Sequence, residues 1–148
     1  MDELVRLSAL DEIRKLKARY FRCVDTKDWV GFGEVFTADA VLDMSASSAI
    51  VDGPVIEGRV AIVDWARNAV KPLVATVHRG YNDEIEVTEP GSATAIWAMQ
   101  DTLWFPEDAE LAGYDGFGHY HDSYILDDGQ WRIARARLTR LHVDVTTR

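Results

Sequence analysis

The second half of this chain is a run of β-strands cut by turn signals, and the first half is not. Val74 to Tyr81, Glu84 to Thr88, Ala93 to Phe105, Gly116 to Leu126 and Gln130 to Val145 are rich in β-branched and aromatic residues. Glu-Pro-Gly-Ser at 89–92 and Asp-Asp-Gly at 127–129 separate them as tight turns. Strands joined so closely pair as hairpins, hence antiparallel. Strands of eleven to sixteen residues exceed the usual length of about five or six, which predicts bends or bulges near Gly116, Gly118 and mid-strand.

Ahead of the strands the periodicity is helical. Leu10, Ile13, Leu16, Tyr20 and Val24 recur every three or four residues and predict a helix from Ser8 to Val24, with Ser8 and Asp11 as its capping box. Asp28 is the expected N-cap of a short second helix that buries Trp29, Phe32, Val35 and Phe36; Gly31 and Gly33 weaken it, so it leans on packing. Val41 to Met44 reads as a short strand, and Ser45 to Gly58, with Gly53-Pro54, as a loop or irregular hairpin of a size that often borders a binding mouth. A further helix over Arg59 to Val70 turns Ile62, Val63, Trp65, Ala66 and Ala69 to a core, and Lys71-Pro72 ends it. Helices in front and a meander behind predict an α+β fold, with a curved antiparallel sheet folded over the helices.

A chain of 148 residues is expected to form one domain, 1–148, burying roughly two-thirds of its unfolded surface. No apolar run approaches the ~18–20 residues that span a bilayer, and the opening Met-Asp-Glu-Leu lacks the basic and apolar regions of a signal peptide, so the expected location is cytoplasmic. Sixteen basic against twenty-five acidic residues, a net charge of −9, repel nucleic acid and anionic membranes and favour a neutral or weakly charged ligand. Cys23 is the single cysteine, which excludes an intrachain disulfide and a cysteine-rich metal site and reads as core.

Several polar residues stand where apolar ones would serve the fold better. Asp25 ends the first helical run, at the negative end of the helix dipole, where its charge is disfavoured by a few tenths to ~1 kcal/mol. Asp101 lies within a central strand whose alternation also sets Trp97 and Met99 on its face, and it is a candidate pocket carboxylate. His119 and His121 share one strand face and lack an evident third metal ligand; Tyr120, Asp122 and Tyr124 take the other face, and which face looks inward is a matter of register. His142 is expected at the surface or an interface.

Five segments, in order, resemble the SnoaL-like group of the nuclear-transport-factor-2-like superfamily. They are Arg-Tyr-Phe-Arg-Cys-Val-Asp-Thr-Lys-Asp-Trp at 19–29, Phe-Thr-Ala-Asp-Ala at 36–40, Thr-Val-His-Arg-Gly-Tyr-Asn-Asp-Glu-Ile-Glu-Val at 76–87, Gly-His-Tyr-His-Asp-Ser-Tyr at 118–124 and Asp-Gly-Gln-Trp-Arg-Ile-Ala at 128–134. Nearly the whole chain is covered, and the branch it resembles holds scytalone dehydratase, bile-acid 7α-dehydratase and hexachlorocyclohexane dehydrochlorinase. The resemblance implies a cone-shaped α+β barrel enclosing one apolar pocket, with no cofactor and no metal. It implies that Asp25 orients His78, which removes a proton from the substrate, and that Tyr20 stands near a substrate oxygen. A carboxylate on one ring nitrogen fixes the tautomer and makes the other nitrogen the better base.

Tyr20 and Asp25 are five residues, about 140°, apart on an ideal helix, so either the helix distorts or Tyr20 is core. Trp97, Asp101 and Tyr120 complete the candidate pocket residues. Some relatives carry an arginine near the end of the fourth long strand; Tyr124-Ile-Leu-Asp has none, and Arg135, Arg137 or Arg140 on the last strand are the substitutes. The expected function is a dehydratase-type lyase for a small cyclic or polycyclic hydrophobe. An isomerase or cyclase using the same base, or a non-catalytic ligand-binding or oligomerisation domain, are the alternatives. A homo-oligomer is expected, a trimer before a dimer.

Overall fold

Asp2, not Ser8, starts the first helix. Its carboxylate accepts from the backbone N–H of Leu4 at 2.7 Å and of Val5 at 3.4 Å, and α1 runs from Glu3 to Thr26 with Ser8 and Asp11 in its interior. The computed structural model describes residues 1–47 and 53–148, so part of the expected 45–58 loop lies outside the described residues. Asp28 caps α2, Trp29–Glu34, through the N–H of Gly31 at 3.0 Å. Phe32, Val35 and Phe36 are buried as expected, and Trp29 packs only partly.

β1 spans Phe36–Asp43, longer than the expected strand, and β2, Val55–Glu57, pairs with it antiparallel, the irregular hairpin that is one of the two readings of this stretch. α3 covers Arg59–Val70 and buries Ile62, Ala66 and Val70, whereas Ala69 is exposed. The expected strands at 74–81 and 84–88 are one strand, β3, Ala75–Glu89. A register shift between Tyr81 and Glu84, with Asn82 left-handed at φ 51°, lets the pairing continue across the irregularity. β4 spans Ser92–Trp104, β5 Leu111–Asp127 and β6 Gln130–Thr147.

The sheet order is β2-β1-β6-β5-β4-β3. All neighbouring pairs are antiparallel except β1 with β6, which run parallel, so the sheet is mixed and not wholly antiparallel. Register shifts fall at Leu111/Gly113, Phe117/Gly118 and Ser123/Tyr124, close to where the strand lengths called for bends. One sheet face and the helices enclose Ile13, Leu16, Phe32, Phe36, Ile62, Met99, Ile133 and Leu138, each 1% exposed or less. Burying such a side chain contributes about 1.5–3 kcal/mol, so this layer holds α1 to the strands. The approach is closest at Gly80 of β3, where a Cβ would stand 2.5 Å from the ring of Phe21. That contact presses the end of α1 against β3, two residues beyond His78.

Candidate active site

Asp25 stands in the last turn of α1, two residues before Lys27 closes the helix in the left-handed region at φ 59°. Three donors from β3 meet its carboxylate. Thr76 Oγ1 donates to Oδ1 at 2.9 Å, the backbone N–H of His78 to Oδ2 at 2.8 Å, and His78 Nδ1 lies 2.6 Å from Oδ1. Hydrogen bonds to a charged group contribute about 1.5–3 kcal/mol each, which outweighs the ~1 kcal/mol at most of helix-end penalty. A carboxylate only accepts, so Nδ1 carries a proton, and in the neutral ring Nε2 is the nitrogen with the lone pair. The His78 and Asp25 side chains are 14% and 19% exposed, dry enough to strengthen the pairing.

The sheet register brings a second charged pair to the same wall. His78 lies directly opposite Asp101 on β4, and Asp101 opposite Gly116 on β5. Arg140 reaches over from β6 and grips Asp101 in a fork, Nη1 to Oδ1 at 2.8 Å and Nη2 to Oδ2 at 2.9 Å, while its Nε donates to the Ser47 carbonyl at 2.9 Å. The guanidinium carbon lies 5.6 Å from the centre of the Tyr114 ring. A Cβ at Gly116 would overlap both the Arg140 Nη1 and the Asp101 carboxylate, so only glycine leaves the pair room to lie across β5. Of the three arginines expected as substitutes, Arg140 faces this wall, and Arg135 and Arg137 are exposed on the other face of β6.

Tyr20 of α1 and Tyr120 of β5 meet in the buried aromatic layer. α1 stays helical through Thr26, so Tyr20 does not share the Asp25 face; it turns into the aromatic layer, its ring centre 5.8 Å from that of Tyr120. Burial holds both phenols above the ordinary tyrosine range. Trp97 faces the same interior, but its indole N–H is committed to Tyr124 Oη at 3.0 Å, and that hydroxyl donates to Asp122 Oδ2 at 2.6 Å. Lys17 Nζ sits 2.8 Å from the same oxygen, with 3.8 Å to the Tyr120 ring centre and 4.3 Å to that of Tyr20. Burial pushes its amine below the ordinary lysine range against the pull of Asp122.

The register of β5 turns Tyr120, Asp122 and Tyr124 inward, and His119 and His121 outward with ring centres 6.4 Å apart. His121 Nε2 meets Thr139 Oγ1 at 3.1 Å. Among the described residues, no three His, Cys, Asp or Glu side chains converge as metal ligands. His142 is exposed beside Asp144, and Cys23 is buried. Sequence reasoning passed over Thr76 and Lys17, although each left a signal. Thr76 is two residues from His78 and shares its strand face, and Lys17 sits four residues from Ile13 on the buried helix stripe. A separate groove of about 980 Å³ runs beside α1, with Arg19, Arg22, Pro90 and Trp131 in its walls, and includes neither Asp25 nor His78.

The SnoaL-like domain matches residues 5–137 of the chain. A curated relative from Gibberella zeae, the probable cyclase FGR4, is 25% identical over 135 residues, covering 88% of this chain and 89% of that protein. Among solved structures, a type 2 hexachlorocyclohexane dehydrochlorinase, LinA, superposes with a TM-score of 0.84 at 18% identity, over 99% of this chain and 94% of its own. Rv3472, a protein of unknown function from Mycobacterium tuberculosis, is 30% identical with a TM-score of 0.75, over 90% of this chain and 77% of that one. A putative scytalone dehydratase from Novosphingobium aromaticivorans gives 0.81 at 17% identity, over 95% and 89%. No helix of the described residues is long and apolar enough to cross a membrane.

Proposed function

The chain belongs to the SnoaL-like family, and from that premise we propose that it is a cofactor-independent lyase, a dehydratase of small cyclic hydroxylated hydrophobes in which His78 is the base. The observation that carries this reading is the seat of Asp25, whose 2.6 Å contact to His78 Nδ1 leaves Nε2 free to take a proton. Nε2 removes the proton from a carbon beside a carbonyl, the C–H pair becomes the new C=C bond, and the C–O pair leaves with the hydroxyl oxygen. The Tyr120 phenol gives that oxygen its proton, so water departs. The imidazolium then returns its proton to the phenolate and the resting site is restored.

The charges fit these steps. Asp25 stabilises the imidazolium as it forms, a gain made in the transition state and not before it. Arg140, with one N–H of each Nη held by Asp101, Nε on the Ser47 carbonyl and Nη1 also against Met99 Sδ, keeps one Nη2 N–H for an oxygen that gains negative charge on the substrate. The phenols stay protonated at neutral pH because burial raises them, which is the state a donor needs.

The 25% identity to a probable cyclase supports a second reading, in which the same base acts on the same acidic carbon and a ring closes instead of a hydroxyl leaving. Mass spectrometry separates the two. Incubation with a panel of hydroxylated cyclic ketones should give a product lighter by one water with the wild-type chain and none with His78→Ala; a product of unchanged mass supports cyclisation or isomerisation. Turnover undiminished in His78→Ala removes His78 as the base under either reading.

A further inference from the structure

Lys17, in the middle of α1, is 1% exposed and takes no part in the reaction steps above. As a fastener a buried ion pair is weak, because its charges lose about as much in hydration as they gain in attraction, and an apolar side chain of similar length fills such a place at lower cost. The pair with Asp122 is not even well aligned as a fastener. Lys17 Nζ lies 2.8 Å from Asp122 Oδ2, yet neither Nζ nor Asp122 Oδ1 finds an aligned hydrogen-bond partner among the described residues. What the amine is centred on is aromatic. Its nitrogen stands 3.8 Å from the ring centre of Tyr120, 4.3 Å from that of Tyr20 and 5.2 Å from that of Phe21. All three lie inside the distance of about 6 Å at which a cation is drawn to a ring face.

A cation on the face of a phenol does not treat the two protonation states alike. The neutral ring offers only its quadrupole, whereas the phenolate spreads a full negative charge into the same face, and dry surroundings magnify the difference. The ammonium therefore stabilises the ring more once the proton has left than before, which is a transition-state gain for a proton donor. Tyr120 needs that help, since burial alone makes its proton hard to release. The other groups around it do not supply the charge. Asp101 from β4 and Arg140 from β6 push its acidity in opposite directions and are locked together as one fork. Tyr20 from α1 opposes its ionisation. Asp122, two residues along β5, is the counter-ion that supports the Lys17 charge against burial. Lys17 is thus a cation that no carboxylate meets in alignment, and Tyr120 is the ring nearest to it.

We propose that Lys17 is a positioning residue for the Tyr120 phenol: its ammonium, seated on the ring face, favours the phenolate formed when Tyr120 protonates the departing oxygen. This role rests on the reading of Tyr120 as the acid, and the two can fail separately. 2,3,5-Trifluorotyrosine placed at position 120 ionises at lower pH than tyrosine, because fluorine withdraws electrons from the ring, and its fluorine resonances report the acidity in the folded chain. In a Lys17→Met/Asp122→Asn background that phenol should be about tenfold less acidic than in the native background, although a negative charge has gone with the positive one. Equal or greater acidity overturns the proposal. Should the double variant fail to fold by circular dichroism, the native background decides through the nitrogen resonance of the Lys17 amine. That resonance should shift as residue 120 ionises, and the amine should hold its proton to higher pH in consequence; an amine indifferent to the ionisation overturns the proposal. An acidity that follows Lys17 supports it even where Tyr120→Phe leaves turnover of hydroxylated cyclic ketones unchanged, a result that strikes the choice of acid alone. Turnover lost in Tyr120→Phe, with an acidity that ignores Lys17, leaves the reaction standing and removes this role of Lys17.

Discussion

Asp25 is worth more to the imidazole than to the helix that carries it. Its three donors come from β3, so it acts as a tether between two elements and as the partner that fixes His78. Asp25→Asn keeps a hydrogen-bonding side chain in place but removes the charge that stabilises His78 once protonated. We expect it to lower kcat by about 10²–10⁴-fold, the range of a positioned general base, with the far-ultraviolet spectrum unchanged. Thr76→Ala removes one donor to a charged acceptor and should lower unfolding free energy by about 1.5–3 kcal/mol, read from denaturant melts. A third residue-scale expectation concerns the tyrosines. Tyr20, Tyr120 and Tyr124 are all held above the ordinary tyrosine range by burial, so the folded chain keeps protons that the unfolded chain gives up. Stability from them is complete below the ordinary tyrosine pKa and falls as pH rises past it. Tyrosinate absorbance should show these three titrating only as the chain unfolds.

At the scale of elements, the buried Lys17–Asp122 pair joins α1 to β5, and each partner is intolerable without the other. Lys17→Met strands the Asp122 charge and should cost about 3–5 kcal/mol, whereas Lys17→Met with Asp122→Asn keeps an acceptor for Tyr124 and should recover most of that loss. Gly116 works differently. A methyl there pushes Arg140 and Asp101 off β5, and a displacement of about 1 Å is enough for a loss of roughly 10²-fold in kcat with little change in melting temperature. The strands, α3 and the helix at Asp28 were legible because periodicity and turn residues encode them directly. The start of α1 was not, since Asp2 caps as well as Ser8 and only the fold chooses. β3 read as two strands because Asn82 interrupts the alternation without ending the ladder. The Asp25–His78 pairing came from family resemblance, as no local pattern links residues 53 apart. The inward turn of Arg140 was within reach, because it continues the alternation of Ala136 and Leu138 on the buried face of β6.

For the whole molecule, charge pulls in two directions. A net charge of −9 makes the folded chain repel itself across many ångströms. The pairs that tie its elements together are short and mostly buried, Lys17–Asp122 at 2.8 Å and Arg140–Asp101 at 2.8 Å. The two respond to salt over different ranges. Net repulsion is mostly screened once the Debye length falls from ~30 Å at 0.01 M to ~10 Å at 0.1 M, whereas buried pairs are screened much less. Unfolding free energy should therefore rise from 0.01 to 0.1 M salt and change little beyond it, which denaturant melts across a salt series can resolve. A steady fall across the series would mean that exposed ion pairs outweigh the net repulsion.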